Sequence, residues 1–275
     1  MRRRQFLLFA ILVSAPALAA SPKPVIAVPG GVARLHLGTA DAAPKATLDG
    51  RRVLVRRERD EWVAHAGIPL SAKVGSRLAV DVAYADDRRE ARTVRVVSKK
   101  YLTQHLSVPK DKADLPPGQI ERYQQEREHL RRLLQTFTET DPRSLALLQP
   151  VPGRRSGSFG LRRVINGVSR APHSGLDIAA DEGTPILATA AGRVLDAGDY
   201  LFLGRIVILD HGQGLLSLYA HLGAVEVAVG DAIGAGATIG KVGMTGRVTG
   251  PHLHFSVYLN AASVDPAIFL PRVTE

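Results

Sequence analysis

Apolar and polar residues alternate in short runs through most of this chain, and glycine-bearing turns break the runs before they reach helical length. In the first half the runs include Val32-Ala33-Arg34-Leu35-His36-Leu37, Arg52-Val53-Leu54-Val55 and Leu78-Ala79-Val80-Asp81-Val82-Ala83-Tyr84. A period of two sends successive side chains to opposite faces of a strand, so each run can bury one face and wet the other. Asp49-Gly50, between the first two runs, carries the residue types of a tight hairpin turn. Residues 21–98 are therefore expected to form a small antiparallel β-sandwich of immunoglobulin-like architecture. After Pro150-Val151-Pro152-Gly153 the pattern resumes in Arg193-Val194-Leu195, Ile206-Val207-Ile208-Leu209, Leu215 to Tyr219, Thr238 to Val242 and Phe255 to Leu259. Residues 151–275 read as a second all-β unit, and the fold class is mainly β.

The two β units are joined by residues 99–150. Pro109, Pro116 and Pro117 mark the stretch from Lys99 to Pro117 as an extended linker. From Gln119 the period changes. Ile120, Tyr123, Leu130, Leu133, Leu134 and Phe137 fall near one stripe, with Arg, Glu and Gln elsewhere. That spacing predicts one amphipathic bridging helix, packed against the sheets rather than laid on a membrane.

Residues 1–20 stand apart from the fold. Arg2, Arg3 and Arg4 are followed by an apolar stretch from Phe6 to Ser14 and by the small-residue signal Ala17-Leu18-Ala19. This order predicts an export signal cut near Ala19 or Ala20 and a periplasmic or envelope-associated protein, by the general secretory route or, on Arg3-Arg4, the twin-arginine route. The remainder has no uninterrupted apolar run of about 18 residues, so stable membrane insertion is not expected. The chain has no cysteine, which excludes disulfides and thiolate metal sites. Its formal charge is +10, yet from Val151 onward ten Lys or Arg face ten Asp or Glu. The basic excess thus lies ahead of the second β unit, as a solvated surface or a region that attracts a polyanion. With aromatic residues at 5% and an export signal, a nucleic-acid partner is not expected.

The residues that carry chemistry sit in the second unit. His252 and His254 are two positions apart, so on a strand they share a face. His173 and Asp177 lie four apart upstream, and His221 follows the strand-like run that ends in Tyr219-Ala220. Four imidazoles and one carboxylate exceed the three protein ligands of a catalytic zinc, which keeps one position open. The surplus points to catalysis.

In Ser158-Phe159-Gly160-Leu161-Arg162, His173-Ser174-Gly175-Leu176-Asp177-Ile178-Ala179-Ala180, Gly183-Thr184-Pro185, Asp210-His211-Gly212, Tyr219-Ala220-His221-Leu222, Thr249-Gly250-Pro251-His252-Leu253-His254-Phe255 and Val264-Asp265-Pro266, the second half resembles the lysostaphin/LytM-type zinc metallopeptidases. These enzymes cut peptidoglycan cross-bridges. The resemblance implies an antiparallel β-sheet catalytic domain binding one Zn2+ through His173, Asp177 and His254. It also implies His221 and His252 as catalytic histidines that do not ligate the metal. The sequence departs from the family at Arg205, where relatives often have Asn, and at Ser256, where many have Glu; both departures bear on groove shape and substrate preference. The first β unit and the helix look like those of exported Gram-negative members.

Amide hydrolysis needs an acidified water and a polarised carbonyl, which zinc supplies by bringing the water pKa from about 15.7 to about 7. His221 or His252 can take the proton while the other hydrogen-bonds the developing oxyanion, since imidazole titrates near the working pH. Leu253 between the two histidines is expected to point into the core. His36, His65, His105 and His129 read as surface or packing residues, and His211 as support for its turn. Arg162, Arg163 and Arg247 are candidates for contacting acidic stem-peptide carboxylates. The implied substrate is the peptidoglycan stem peptide, with the bond from D-alanine to meso-diaminopimelate favoured, and a monomer is the expected state. Two rivals differ in class or substrate: a non-catalytic activator of a cell-wall amidase, which usually lacks a ligand, and a carboxypeptidase or glycine-directed peptidase with the same zinc chemistry.

Overall fold

The structure is a computed structural model that describes residues 23–107 and 116–272. The expected export signal and the middle of the linker lie outside the described residues. Seven strands form the first unit: β1 (Val25–Ala27), β2 (Val32–Gly38), β3 (Lys45–Leu48), β4 (Arg51–Glu58), β5 (Glu61–Gly67), β6 (Arg77–Ala83) and β7 (Arg89–Val96). They make one sheet in the order β1-β7-β6-β3-β4-β5-β2, and its end strands β1 and β2 come into contact. The expected sandwich thus takes the form of a single curled, nearly closed sheet. Its alternation is the one read from the sequence: Ala33, Leu35 and Leu37 of β2 enter the core while Arg34 and His36 stay exposed. Asp49 and Gly50 join β3 to β4 with φ of 49° and 74°, the left-handed pair that a two-residue type I′ turn demands.

Strand β8 (Thr103–Leu106) and helix α1 (Pro117–Leu133) follow. The linker is not free chain, because β8 pairs in parallel with β10 (Arg162–Ile165), which also pairs with β11 (Val168–Ser169). The helix ends before Phe137, which instead lies under the Arg52 guanidinium, 4.1 Å from its ring centre. Among the described residues no helix is long and apolar enough to cross a membrane.

The second unit adds β9 (Arg155–Gly157), β12 (Leu176–Ala179), β13 (Pro185–Leu187), β14 (Gly192–Asp196), β15 (Asp199–Tyr200), β16 (Gly204–Asp210) and β17 (Leu216–Val225). It is completed by β18 (Ala232–Ile233), β19 (Thr238–Val242), β20 (His252–Leu259) and β21 (Ala262–Val264). The main path of this 11-stranded sheet runs β18-β14-β16-β17-β20-β12-β9. Alternation gives it two faces. Val207, Leu209, Tyr219, Leu253, Phe255 and Val257 fill the main core on one face. Ile206, Ile208, Leu216, Leu218, Ala220 and Tyr258 form a smaller cluster on the other, where Leu130 and Leu133 of α1 and the adjoining Leu134 pack. The C-terminal part of the expected stripe therefore covers a sheet, while Ile120 at its other end stays exposed.

The two units are docked through buried polar contacts. The Asn260 side chain accepts from Gly67 N at 2.6 Å and donates to Gly67 O at 3.0 Å, from the turn that follows β20. Gln213 Oε1 accepts from Val55 N at 2.9 Å, and Leu54 of β4 enters the core of the second unit. Asn260→Ala would strand both backbone groups of Gly67 away from water, a loss of about 2 kcal/mol or more. Urea denaturation should show a lower midpoint, and an unchanged midpoint would mean that this contact does not couple the units.

Candidate active site

Strand β20 carries His252, His254, Ser256 and Tyr258 on the face that also bears the α1 cluster, and it sends Leu253, Phe255 and Val257 into the main core. Leu253 is fully buried there, as its place between two same-face histidines predicts. Opposite His254 on the neighbouring strand stands Asp177, and on the other neighbour Ala220, so the register of β12, β20 and β17 brings three chain segments to one spot. His173 reaches the same spot from the loop ahead of β12.

His173 Nε2, Asp177 Oδ1 and His254 Nδ1 form a triangle with every edge 3.0 Å. The other nitrogen of each ring is committed. Nδ1–H of His173 donates to the Ser158 carbonyl at 3.0 Å, because a carbonyl can only accept. Nε2 of His254 lies 3.0 Å from the Ser256 hydroxyl, which takes its N–H when Nδ1 faces inward. Burial raises the Asp177 pKa, but hydrogen bonds from His173 and His254 outweigh it and hold the carboxyl well below the usual carboxylate range. When both rings carry their proton on the outer nitrogen instead, those two hydrogen bonds are given up and three lone pairs converge, and a cation is the group that relieves their repulsion. Donors about 2.0–2.1 Å from a tetrahedral zinc stand about 3.3 Å apart, close to the observed edge. The residues fit a metal ion.

His221 and His252 flank the triangle with their rings 4.9 Å apart. Nδ1–H of His221 donates to the Thr245 carbonyl at 3.0 Å, and Nδ1–H of His252 to the Gly250 carbonyl at 2.9 Å. Each therefore presents a bare Nε2. His252 Nε2 is 3.9 Å from Asp177 Oδ1, outside hydrogen-bond range but beside the carboxylate. Burial, and after it the neighbouring His254, push His221 down to about 4, so its ring is a neutral acceptor at neutral pH. His221 also departs from strand geometry, with φ of 67° at a bulge where β17 slips against β16. A non-glycine residue held there costs on the order of 1–3 kcal/mol, and bulges of this kind re-aim side chains toward sites.

Ser256 is the residue whose part sequence reasoning missed. It was legible as an exchange beside the motif, yet its position two residues after His254 places it on the same face, where it holds the outer nitrogen of that ring. Gly175 allows this approach: a methyl group there would meet Ser256 Oγ at 2.5 Å and His254 Nε2 at 2.6 Å. Losing such an outer partner typically weakens metal affinity about 10–100-fold. Ser256→Ala should show that drop in competition with a chelator while keeping activity at saturating metal; unchanged affinity would remove Ser256 from the site.

The other sequence candidates lie elsewhere. His211 is buried on the opposite face, with Nδ1 2.8 Å from the Ala191 carbonyl and Nε2 2.7 Å from Ser217 Oγ, where it braces its turn. His36 and His65 pair with Glu61 and Glu58 of the first unit, and His129 stacks near Tyr200. Arg162 and Arg163 sit on the β10 strand that leads to His173, while the Arg247 guanidinium lies over Phe202 at 5.4 Å.

Two family models match the chain. The model of "Peptidase family M23" matches residues 171–266, and that of "Peptidase family M23 N-terminal domain" matches residues 26–99. A crystal structure of a putative peptidase M23 from Pseudomonas aeruginosa is 40% identical, with a TM-score of 0.74 over 90% of this chain and 95% of that one. The chain belongs to peptidase family M23. This M23 chain is also 42% identical over 106 residues to the DD-carboxypeptidase/endopeptidase Mpg of Neisseria meningitidis, covering 38% of this chain and 24% of that protein. It is 36% identical over 113 residues to the peptidoglycan DD-endopeptidase ShyA of Vibrio cholerae, covering 41% and 26%. The chain thus spans about a quarter of the length of these curated relatives.

Proposed function

We propose that this chain is an exported, zinc-dependent endopeptidase that hydrolyses peptide cross-links of peptidoglycan, with the D-alanine to meso-diaminopimelate bond favoured. The observation that carries the reading is the 3.0 Å triangle of His173, Asp177 and His254 flanked by two histidines with bare Nε2 atoms. His173, Asp177 and His254 would hold one Zn2+, which supplies Lewis-acid polarisation of the scissile carbonyl and acidifies water. The Ser158 carbonyl and the Ser256 hydroxyl keep the two ligand rings turned inward.

His221 and His252 supply the proton chemistry. The carbonyls of Thr245 and Gly250 fix each ring with Nε2 as acceptor, so either can take the proton of the attacking water. A ring that has taken it holds an N–H at Nε2. That is the donor needed by a developing oxyanion or a leaving amine. All five positions hold the residue types that hydrolysis needs, which opposes a purely regulatory role. Residues 151–275 are read as the catalytic domain, residues 21–98 as the accessory β domain and residues 99–150 as the connection, acting in the periplasm or envelope.

The names of the relatives support the substrate class: ShyA is a peptidoglycan DD-endopeptidase, and Mpg a DD-carboxypeptidase/endopeptidase. Incubation of the zinc-loaded protein with purified cross-linked muropeptide dimers, followed by mass analysis, tests it. The expected products are two monomers that differ from the dimer by one water. Intact dimers, or release of terminal D-alanine alone, would overturn the endopeptidase reading.

A further inference from the structure

Helix α1 lies outside both stretches that match the family, residues 26–99 and 171–266. It nevertheless packs on the sheet face that bears the site. Its C-terminal half is seated by Leu130 and Leu133, with Leu134 just beyond its end. Its N-terminal half holds one strap of chain, the turn between β15 and β16. Leu201 N–H donates to Glu126 Oε2 at 2.9 Å. Arg122 pairs with Glu126 at 2.6 Å and donates through Nη2 to the Asp199 carbonyl at 3.3 Å. The Tyr123 ring meets Phe202 edge-on, with centres 5.1 Å apart and planes at 89°.

The strap in turn reaches both restraints on His221. The Leu203 carbonyl accepts from His221 N at 2.9 Å, which anchors the bulge in its left-handed conformation. The Phe202 carbonyl accepts from Arg247 N at 3.0 Å, which ties the strap to the loop whose Thr245 carbonyl takes the His221 ring N–H. Thr245 closes the circuit, as its hydroxyl accepts from Arg205 N at 3.0 Å and donates to the Leu222 carbonyl at 2.8 Å. A non-glycine residue at positive φ persists only where its surroundings over-determine it. At His221 those surroundings include α1 one contact away.

We infer that α1 is a positioning element, with Tyr123 and Glu126 as positioning residues that keep the strap, and through it the His221 ring, aligned on the metal triangle. The inference rests on the reading of His221 as a catalytic ring. A small misplacement of such a group costs up to about 100-fold in rate.

The test uses the zinc-loaded full chain and the double variant Tyr123→Ala/Glu126→Ala, with Glu126→Gln and Glu128→Ala beside it. Glu128 pairs with Arg131 on the exposed side of the helix and serves as a control. In the double variant kcat on a muropeptide dimer should fall about 10–100-fold, with KM and zinc content unchanged. Glu126→Gln should keep most of the rate, because its amide oxygen still accepts from Leu201 N–H, and Glu128→Ala should match the wild type. Nitrogen NMR of the imidazoles provides a second readout that needs no substrate. The His221 Nδ1–H signal should shift or broaden in the double variant while those of His173 and His254 stay in place. Wild-type kcat with an unmoved His221 signal would overturn the inference, and so would a loss of zinc in parallel with rate. If the wild type cleaves no dimer, the functional reading fails and the NMR signals alone decide this one.

Discussion

Alanine at His173, Asp177 or His254 is expected to remove zinc and activity together. Each supplies one corner of a triangle with 3.0 Å edges, and a catalytic zinc has three protein ligands to lose. With two left, the ion should dialyse away, leaving near-zero zinc content and cleavage at background. The folded state should survive, because none of the three belongs to the apolar clusters that fill the sheet. Metal analysis beside dimer cleavage checks this, with circular dichroism to show that the fold is kept. Full zinc in any one of these variants would remove that residue from the ligand set.

His221→Ala and His252→Ala should behave in the opposite way, holding most of their zinc and losing turnover on the order of 100-fold or more. Both rings turn Nδ1 to a backbone carbonyl and neither closes the triangle, so the ligand atoms keep their outer partners when either ring is removed. The burial of His221 also bears on pH. His221 is pushed down to about 4, so on acidification it should remain neutral until well below the ordinary histidine range. Zinc loss in His221→Ala as complete as in His254→Ala would place His221 among the ligands instead.

Local chemistry made much of this architecture legible. Asp49-Gly50 specified its turn because the left-handed pair is a property of two adjacent residues. The shared face of His252 and His254 followed from the period of a strand, and so did the inward direction of Leu253. The helix was read from its stripe but extended too far, to Phe137, because apolar spacing alone does not mark where the backbone leaves the helix.

What stayed hidden depends on pairing between distant segments. The strand β8 inside the presumed linker exists only because β10 offers an edge, some 60 residues later in the chain. The bulge that aims His221 arises from a slip between β16 and β17 and leaves no local signature in Tyr219-Ala220-His221. Ser256 carried a readable hint in its spacing from His254, yet its contact requires Gly175 of another strand's lead-in to stay bare.

Anomalous scattering at the zinc absorption edge, measured on a crystal of the zinc-loaded protein, tests the division of labour most directly. One peak is expected, bonded to His173 Nε2, Asp177 Oδ1 and His254 Nδ1, with His221 and His252 close by but uncoordinated. A peak bonded to His221 or His252, or no peak at the triangle, would contradict the account.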